Sequence, residues 1–203
     1  MNRILFLSII INSILLFTSP DTCMAQKTQE VNSERLFKTF QSGEVCYTIG
    51  DEYAGEFILG EEIPKQEYLE HFTIRKETNK NDHSYIISEK KNKIIQLIPK
   101  MLESDYGSIE IIKEIRVIAD KFKTPKGITV NSKVEDLIKV YPSCHISYFH
   151  DEDFLAFESD ETEAKFLISK SDYIGSLAEI DEMAKVDISK YKPHSKIIEV
   201  RLF

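Results

Sequence analysis

From residue 44 to the end of the chain, apolar and polar residues mostly alternate with a period of two. Val45, Tyr47 and Ile49 alternate with Cys46 and Thr48, Phe72 and Ile74 with polar or charged neighbours, and Tyr85 and Ile87 with theirs. Successive side chains of a strand point to opposite faces, so this period predicts antiparallel strands with one wet face. Asn79-Lys80-Asn81-Asp82 predicts a polar turn between two of them. The runs 93–98 and 109–118 are richer in isoleucine and more continuously apolar, which predicts central strands covered on both faces. Strands over 154–157 and 165–168 are predicted to form a hairpin, joined by Glu158-Ser159-Asp160-Glu161-Thr162-Glu163 as an exposed turn. Residues 196–203 alternate again and close the chain as a strand.

The period becomes helical in three places. Ser132-Lys133-Val134-Glu135 reads as a capping box, with the serine oxygen on the Glu135 N–H and the glutamate reaching back. Val134, Leu137, Ile138 and Tyr141 then line one face, and Pro142 stops the helix. Ser176-Leu177-Ala178-Glu179 repeats the pattern ahead of Ile180, Met183 and Ala184, predicting a second short helix. A third is predicted over 33–40, where Leu36, Phe37 and Phe40 follow Ser33 and Gly43 ends the run.

The first residues carry a different pattern. Arg3 precedes an apolar stretch, 4–17, broken only by Ser8, Asn12 and Ser13, and Cys23-Met24-Ala25 places small residues where a signal peptidase needs them. A spanning helix needs roughly 17 to 25 apolar residues, so this stretch reads as a cleaved export signal, 1–25, and not as a stable membrane span. The alternative is a lipoprotein anchored at Cys23, but Pro20-Asp21-Thr22 is a poor approach to a lipid-bearing cysteine. Residues 26–32 are polar and featureless and read as a flexible leader, leaving 33–203 as a single α+β domain. Its expected architecture is a mostly antiparallel or mixed sheet with one to three short helices packed on one face. Gly55-Glu56-Phe57-Ile58-Leu59-Gly60 with Ile112-Lys113-Glu114-Ile115-Arg116-Val117 is weakly echoed by 126–130 with Ile197-Ile198-Glu199-Val200-Arg201-Leu202. That echo suggests two similar halves, 44–120 and 121–203.

The stretch from Phe122-Lys123-Thr124-Pro125-Lys126-Gly127-Ile128-Thr129-Val130-Asn131 through the capped segment to Tyr141 resembles a phrase of exported bacterial envelope proteins of unknown function. There the phrase runs Thr-x-x-Gly-Ile-x-Val-Gly, then a capped helix ending in Tyr-Gly or Tyr-Pro; Asn131 stands here where that group often has glycine. The resemblance covers about 80 residues from Ile109, final strand included. It implies a mixed sheet with helices on one face, and it implies no activity and transfers no catalytic residue.

Charge narrows the partners. The chain carries a net charge of -8, and because Arg3 and Asp21 cancel within the signal, the mature part would keep all of it. That disfavours nucleic acid and anionic membrane and allows a basic protein. After signal removal two cysteines remain, Cys46 and Cys144, which in an oxidising compartment have one internal pairing; two separate thiols are the alternative.

No motif assigns a catalytic, metal or cofactor site. His145, His150, Asp151, Glu152 and Asp153 are the densest polar group, but the odd separation of the histidines sends them to opposite faces of a strand, and the ligand spacing of a calcium loop is absent. His71 and His83 border strands and could titrate near neutral pH. Tyr47, Tyr53, Tyr148, Tyr173 and Tyr191 offer area with a polar tip, a feature more common at the edge of a core than on a ligand surface. Glu158, Asp160, Glu161 and Glu163 form the candidate partner surface. The expectation is a non-enzymatic exported envelope protein, periplasmic or secreted, that binds or inhibits a basic partner without a cofactor. Its rivals are an envelope hydrolase using His145 or His150 with Asp151 or Asp153, and a structural lipoprotein on Cys23.

Overall fold

A computed structural model describes residues 45–79, 82–104, 107–149, 152, 154–180 and 186–203. The export signal, the leader, the helix over 33–40, Met183, Ala184, His150, Asp151 and Asp153 lie outside these residues.

Among the described residues there are ten strands: β1 (Tyr53–Ala54), β2 (Phe57–Ile58), β3 (Thr73–Asn79), β4 (Asp82–Glu89), β5 (Asn92–Ser104), β6 (Gly107–Val117), β7 (His145–Phe149), β8 (Phe154–Ser159), β9 (Thr162–Ser169) and β10 (Ile197–Leu202). The first two form a small hairpin. The other eight form one sheet in the order β3-β4-β5-β6-β10-β9-β8-β7, and every pairing in it is antiparallel. The chain lays down one four-stranded meander, crosses over, lays down a second, and the last strands of the two meet.

β5 and β6 are central, as expected, and among the described residues the main apolar cluster packs against one of their faces. Bulges account for part of their isoleucine runs. A bulge opposite Ile87 and Ser88 lets both Ile94 and Ile95 turn inward, and another at Lys113, opposite Ile98 and Pro99, puts Ile112 and Ile115 on the same inner face despite their odd spacing, while Ile111 is buried on the other face. Likewise Ile198 is the extra residue of a bulge in β10, so Ile197, Val200 and Leu202 are all fully buried despite the odd spacing.

The covering layer is built from β1–β2, the loop carrying Phe122, Ile128 and Val130, the helix α1 (Val134–Val140) and the segment of Tyr191. α1 is the one α-helix among the described residues, and it buries Val134 and Leu137. Fully burying those two side chains stabilises by roughly 3–6 kcal/mol before ordering entropy is set against it. Its cap differs from expectation. Lys133 is the N-cap, and the Ser132 hydroxyl instead accepts from Thr129 N at 2.9 Å. The reason is tertiary: residues 131–134 run beside the approach to β10, where Asn131 N donates to Ile197 O at 2.8 Å and Val134 N to Ser195 O at 3.0 Å. The first free N–H of the helix therefore already has an acceptor. Asn131 sits at φ 69°, the left-handed region that a glycine there would also satisfy, and Gly127 turns at φ 82°.

Three further expectations change. The described part of that first run, 45–49, does not form a strand of the sheet; Thr48 and Ile49 make isolated bridges to Lys123 and Ala54. The capped pattern at Ser176 yields a single 3-10 turn, Leu177–Glu179, without a side-chain cap. The hairpin turn is only Asp160-Glu161, because β8 and β9 run on to the Ser159 and Thr162 pair.

Candidate functional site

Register places the most concentrated chemistry near one edge of the sheet. Lys76 pairs with Tyr85 and Thr78 with His83, so Lys76, Tyr85 and His83 share the face that Ile74, Ile87 and Leu97 present to the core. Glu110 of β6 reaches the same place. Its Oε1 accepts from Lys76 Nζ at 3.3 Å and lies 2.5 Å from His83 Nε2, and its Oε2 accepts from the Tyr85 hydroxyl. The bond from Tyr85, above all, holds the Glu110 carboxyl below the usual carboxylate range, with His83 and Lys76 acting in the same direction. Burial first, then the bond to Glu110, raises the Tyr85 phenol. The Lys76 ammonium also lies 5.3 Å from the Tyr85 ring centroid.

Lys76, Tyr85 and Glu110 line a groove of about 480 Å³ whose other walls include Ile63, Pro64, Ile74 and Ile109, with Glu62 and Lys65 also lining it. The groove is framed by 60–63, which pairs with β6 through Gly60 N to Ile112 O and Ile63 N to Glu110 O. Gln66 fixes the neighbouring turn, donating to Phe72 O at 3.0 Å and accepting from Ile74 N at 2.9 Å. Beside it, Met101 pairs with Glu110 and is 54% exposed, a large apolar side chain left outside the core.

The four carboxylates singled out at the second hairpin are divided. Glu158 is partly buried, accepting from Ser147 Oγ at 2.6 Å and pairing with Lys165 Nζ at 3.2 Å. Glu161 pairs with Lys126, whose ammonium lies 4.5 Å from the Tyr141 ring centroid. Asp160 and Glu163 remain exposed. They gain a neighbour from far along the chain: Asp51 Oδ1 accepts from Thr162 Oγ1 at 2.8 Å and from Glu163 N at 3.1 Å, which brings Asp51 and exposed Glu52 to the hairpin tip.

His145 Nε2 lies 3.9 Å from Glu158 Oε2. Ser147 bonds the same carboxylate directly, so the histidine does not stand between hydroxyl and acid where a general base must be. Glu152 serves instead in an ion-pair cluster on the outer face of the sheet, with Arg116 and Arg201. His71 is half exposed beside Glu70. Among the described residues no three His, Cys, Asp or Glu side chains converge as metal ligands, and no helix is long and apolar enough to cross a membrane.

Cys46 and Cys144 are not joined to each other. Cys46 Sγ donates to Thr48 Oγ1 at 3.5 Å, while Cys144 is buried and its thiol is pushed up to about 12 by that burial. The tyrosines border the core: Tyr47 donates to Glu89 at 2.7 Å, and burial followed by that bond raises it to about 12. Tyr173 and Tyr191 pack together with centroids 5.3 Å apart.

Sequence reasoning picked out His83 but not its partners Lys76, Tyr85 and Glu110. The available signal was Glu110 itself, a carboxylate inside an isoleucine-rich central strand.

No family model matches the chain, and no curated protein matches it. Among solved structures it is similar to the uncharacterized protein yfeY from Escherichia coli, with a TM-score of 0.46 and 13% identity over 76% of this chain and 98% of that one.

Proposed function

We propose that this chain is an exported, non-enzymatic binding protein of the cell envelope that engages a basic protein partner through an acidic surface. The observation that carries this reading is the tip of the β8–β9 hairpin. Asp160 and Glu163, exposed, are joined there by Asp51 and Glu52 through the bonds from Thr162 and Glu163 to Asp51. Four carboxylates from two distant stretches stand together on a fixed backbone, in a chain whose net charge is -8. Such a surface steers an oppositely charged partner and sets the orientation of docking. Glu158 and Glu161, with cations of their own, support the hairpin and leave the contact to the other two.

The test is retention of protein from envelope extracts on the immobilised protein. Wild type is expected to retain a basic partner that half-molar salt releases, and Asp160→Asn with Glu163→Gln to retain it several-fold less well, since rim charges act mainly on association. Equal retention by the double variant, or retention indifferent to salt, overturns the reading.

Export has its own check. Mass spectrometry of the protein recovered from cells is expected to find a chain beginning at Gln26. A diacylated Cys23 moves the protein to the lipoprotein reading, and the intact leader removes export altogether.

We also read the domain as two similar halves, 44–120 and 121–203. Each supplies one four-stranded meander, and the halves meet where Arg116 of β6 pairs with Arg201 of β10, each the last residue of a Glu-x-Arg triplet. A duplicated unit packed about a two-fold axis would place equivalent residues opposite each other in this way.

A further inference from the structure

We propose that the groove framed by β3, β4 and β6 is a seat for a primary ammonium group, the lysine side chain of a partner protein, and that Lys76 occupies it as an internal stand-in. This deepens the reading of a basic partner but is carried by different strands from the hairpin tip. The seat has the parts that recognise an ammonium ion: a carboxylate as acceptor and an aromatic face beside it. Lys76 Nζ shows both contacts, 3.3 Å from Glu110 Oε1 and 5.3 Å from the Tyr85 centroid.

Glu110 is built to stay ionised and oriented. Tyr85 takes one of its oxygens and His83 the other, each from β4, so the carboxylate keeps its aim when Lys76 leaves. Lys76 is the replaceable member. It lies on the edge strand β3, its side chain is 46% exposed, and its pair with Glu110 is of the exposed kind that contributes little.

The remaining walls suit what precedes an ammonium in lysine. Ile63, Pro64, Ile74 and Ile109 give apolar surface for a four-carbon stem, and Glu62 stands by as a second carboxylate. Arginine fits less well, since its planar fork asks for two carboxylate oxygens side by side and Tyr85 holds one of those of Glu110.

The experiment is an amide NMR titration of the purified protein with the peptide acetyl-Gly-Lys-Gly-amide, and with the same peptide acetylated on the lysine. The unmodified peptide is expected to shift the resonances of Ile63, Ile74, Tyr85 and Glu110, and the acetylated one to leave them in place. Glu110→Gln is expected to weaken binding about tenfold, Lys76→Met to tighten it about threefold by emptying the seat, and the exposed helix variant Glu135→Gln to change nothing. Wild-type affinity in Glu110→Gln, or equal shifts from the acetylated peptide, overturns the proposal. Should Glu110→Gln fail to fold, Lys76→Met decides alone: tighter binding supports the seat, and unchanged or weaker binding overturns it. If the hairpin-tip variants lose the partner while the groove variants change nothing, only the groove proposal falls; if neither set matters, the basic-partner reading falls with it.

Discussion

Replacing Arg201 with methionine is expected to cost the fold about 3–5 kcal/mol, the range for removing one partner from a buried ion cluster. Arg201 is 4% exposed. Its guanidinium lies 3.4 Å from Glu114 and 2.8 Å from Glu152, bonds Glu199, and stacks 4.3 Å from the Phe154 ring centroid. Glu114, 6% exposed, is also held by Arg116 at 2.7 Å. Without Arg201, Glu114, Glu152 and Glu199 would lose a shared cation and keep Arg116, and Glu114 has little access to water to offset the loss. Arg201→Lys is expected to fall between wild type and methionine, because lysine keeps the charge and loses the fork and the stacking. Urea unfolding checks this, with Glu114→Gln added to close a double-mutant cycle. A methionine variant within about 1 kcal/mol of wild type would mean that the cluster behaves as an exposed pair.

The same cluster shows how far local pattern reaches. The alternation in 196–203 identifies β10 as a strand, and it is one; nothing in those residues says that it lies between β6 and β9. That placement is decided by non-local pairing, in which Ile197, Val200 and Leu202 fill the middle of the core. Isoleucine runs were open to two explanations, coverage on both faces or bulges that turn neighbouring residues inward. The second holds for Ile94 with Ile95 and for Ile112 with Ile115, beside an outer face that carries Gln96, Glu114, Arg116 and Arg201 in cross-strand contact, whereas Ile111 is buried on that outer face. The capping box at Ser132 was a sound local reading that lost to a tertiary acceptor, Ser195 O. The acidic residues of the second hairpin looked like one long turn, yet a strand with a wet face accommodates charge, and Glu158 lies within β8 for that reason.

The groove was less legible than the sheet. Lys76, His83, Tyr85 and Glu110 come from three strands, and they face one another only once β3 is registered on β4, and β5 on both β4 and β6. Tyr85 and His83, two residues apart, were recognisable as sharing a face. Glu110, inside a run read as covered, was not recognisable as their common acceptor. Asp51 and Glu52 had no fixed geometry in the sequence either. It took the turn of 50–53 and the backbone of Glu163 to bring them to the hairpin tip.

Phe122→Ala is expected to cost about 3–5 kcal/mol as well, but through packing, and to loosen one segment selectively. Phe122 is fully buried and meets the Tyr47 ring edge-on, with centroids 5.3 Å apart at 82°. Around it the chain forms a strap: Lys123 N donates to Tyr47 O at 2.9 Å, Ile49 N to Lys123 O at 2.8 Å, and Gly55 N to Thr48 O at 2.8 Å. Gly55 belongs to the same fit. At φ 62°, a side chain there would begin 2.8 Å from Cys46 O and 3.1 Å from the Phe122 ring, so the strap closes over the phenyl group with no room to spare. An alanine at 122 leaves a cavity that this backbone, already bonded on both sides, can collapse into only partly. Hydrogen exchange should therefore quicken at Ile49 and Gly55 well before the amides of β6 and β10, because local opening needs only the strap to lift. Uniform acceleration across the sheet would show instead that the strap and the sheet open together, and that Phe122 is part of the cooperative core and not the pin of a separable segment.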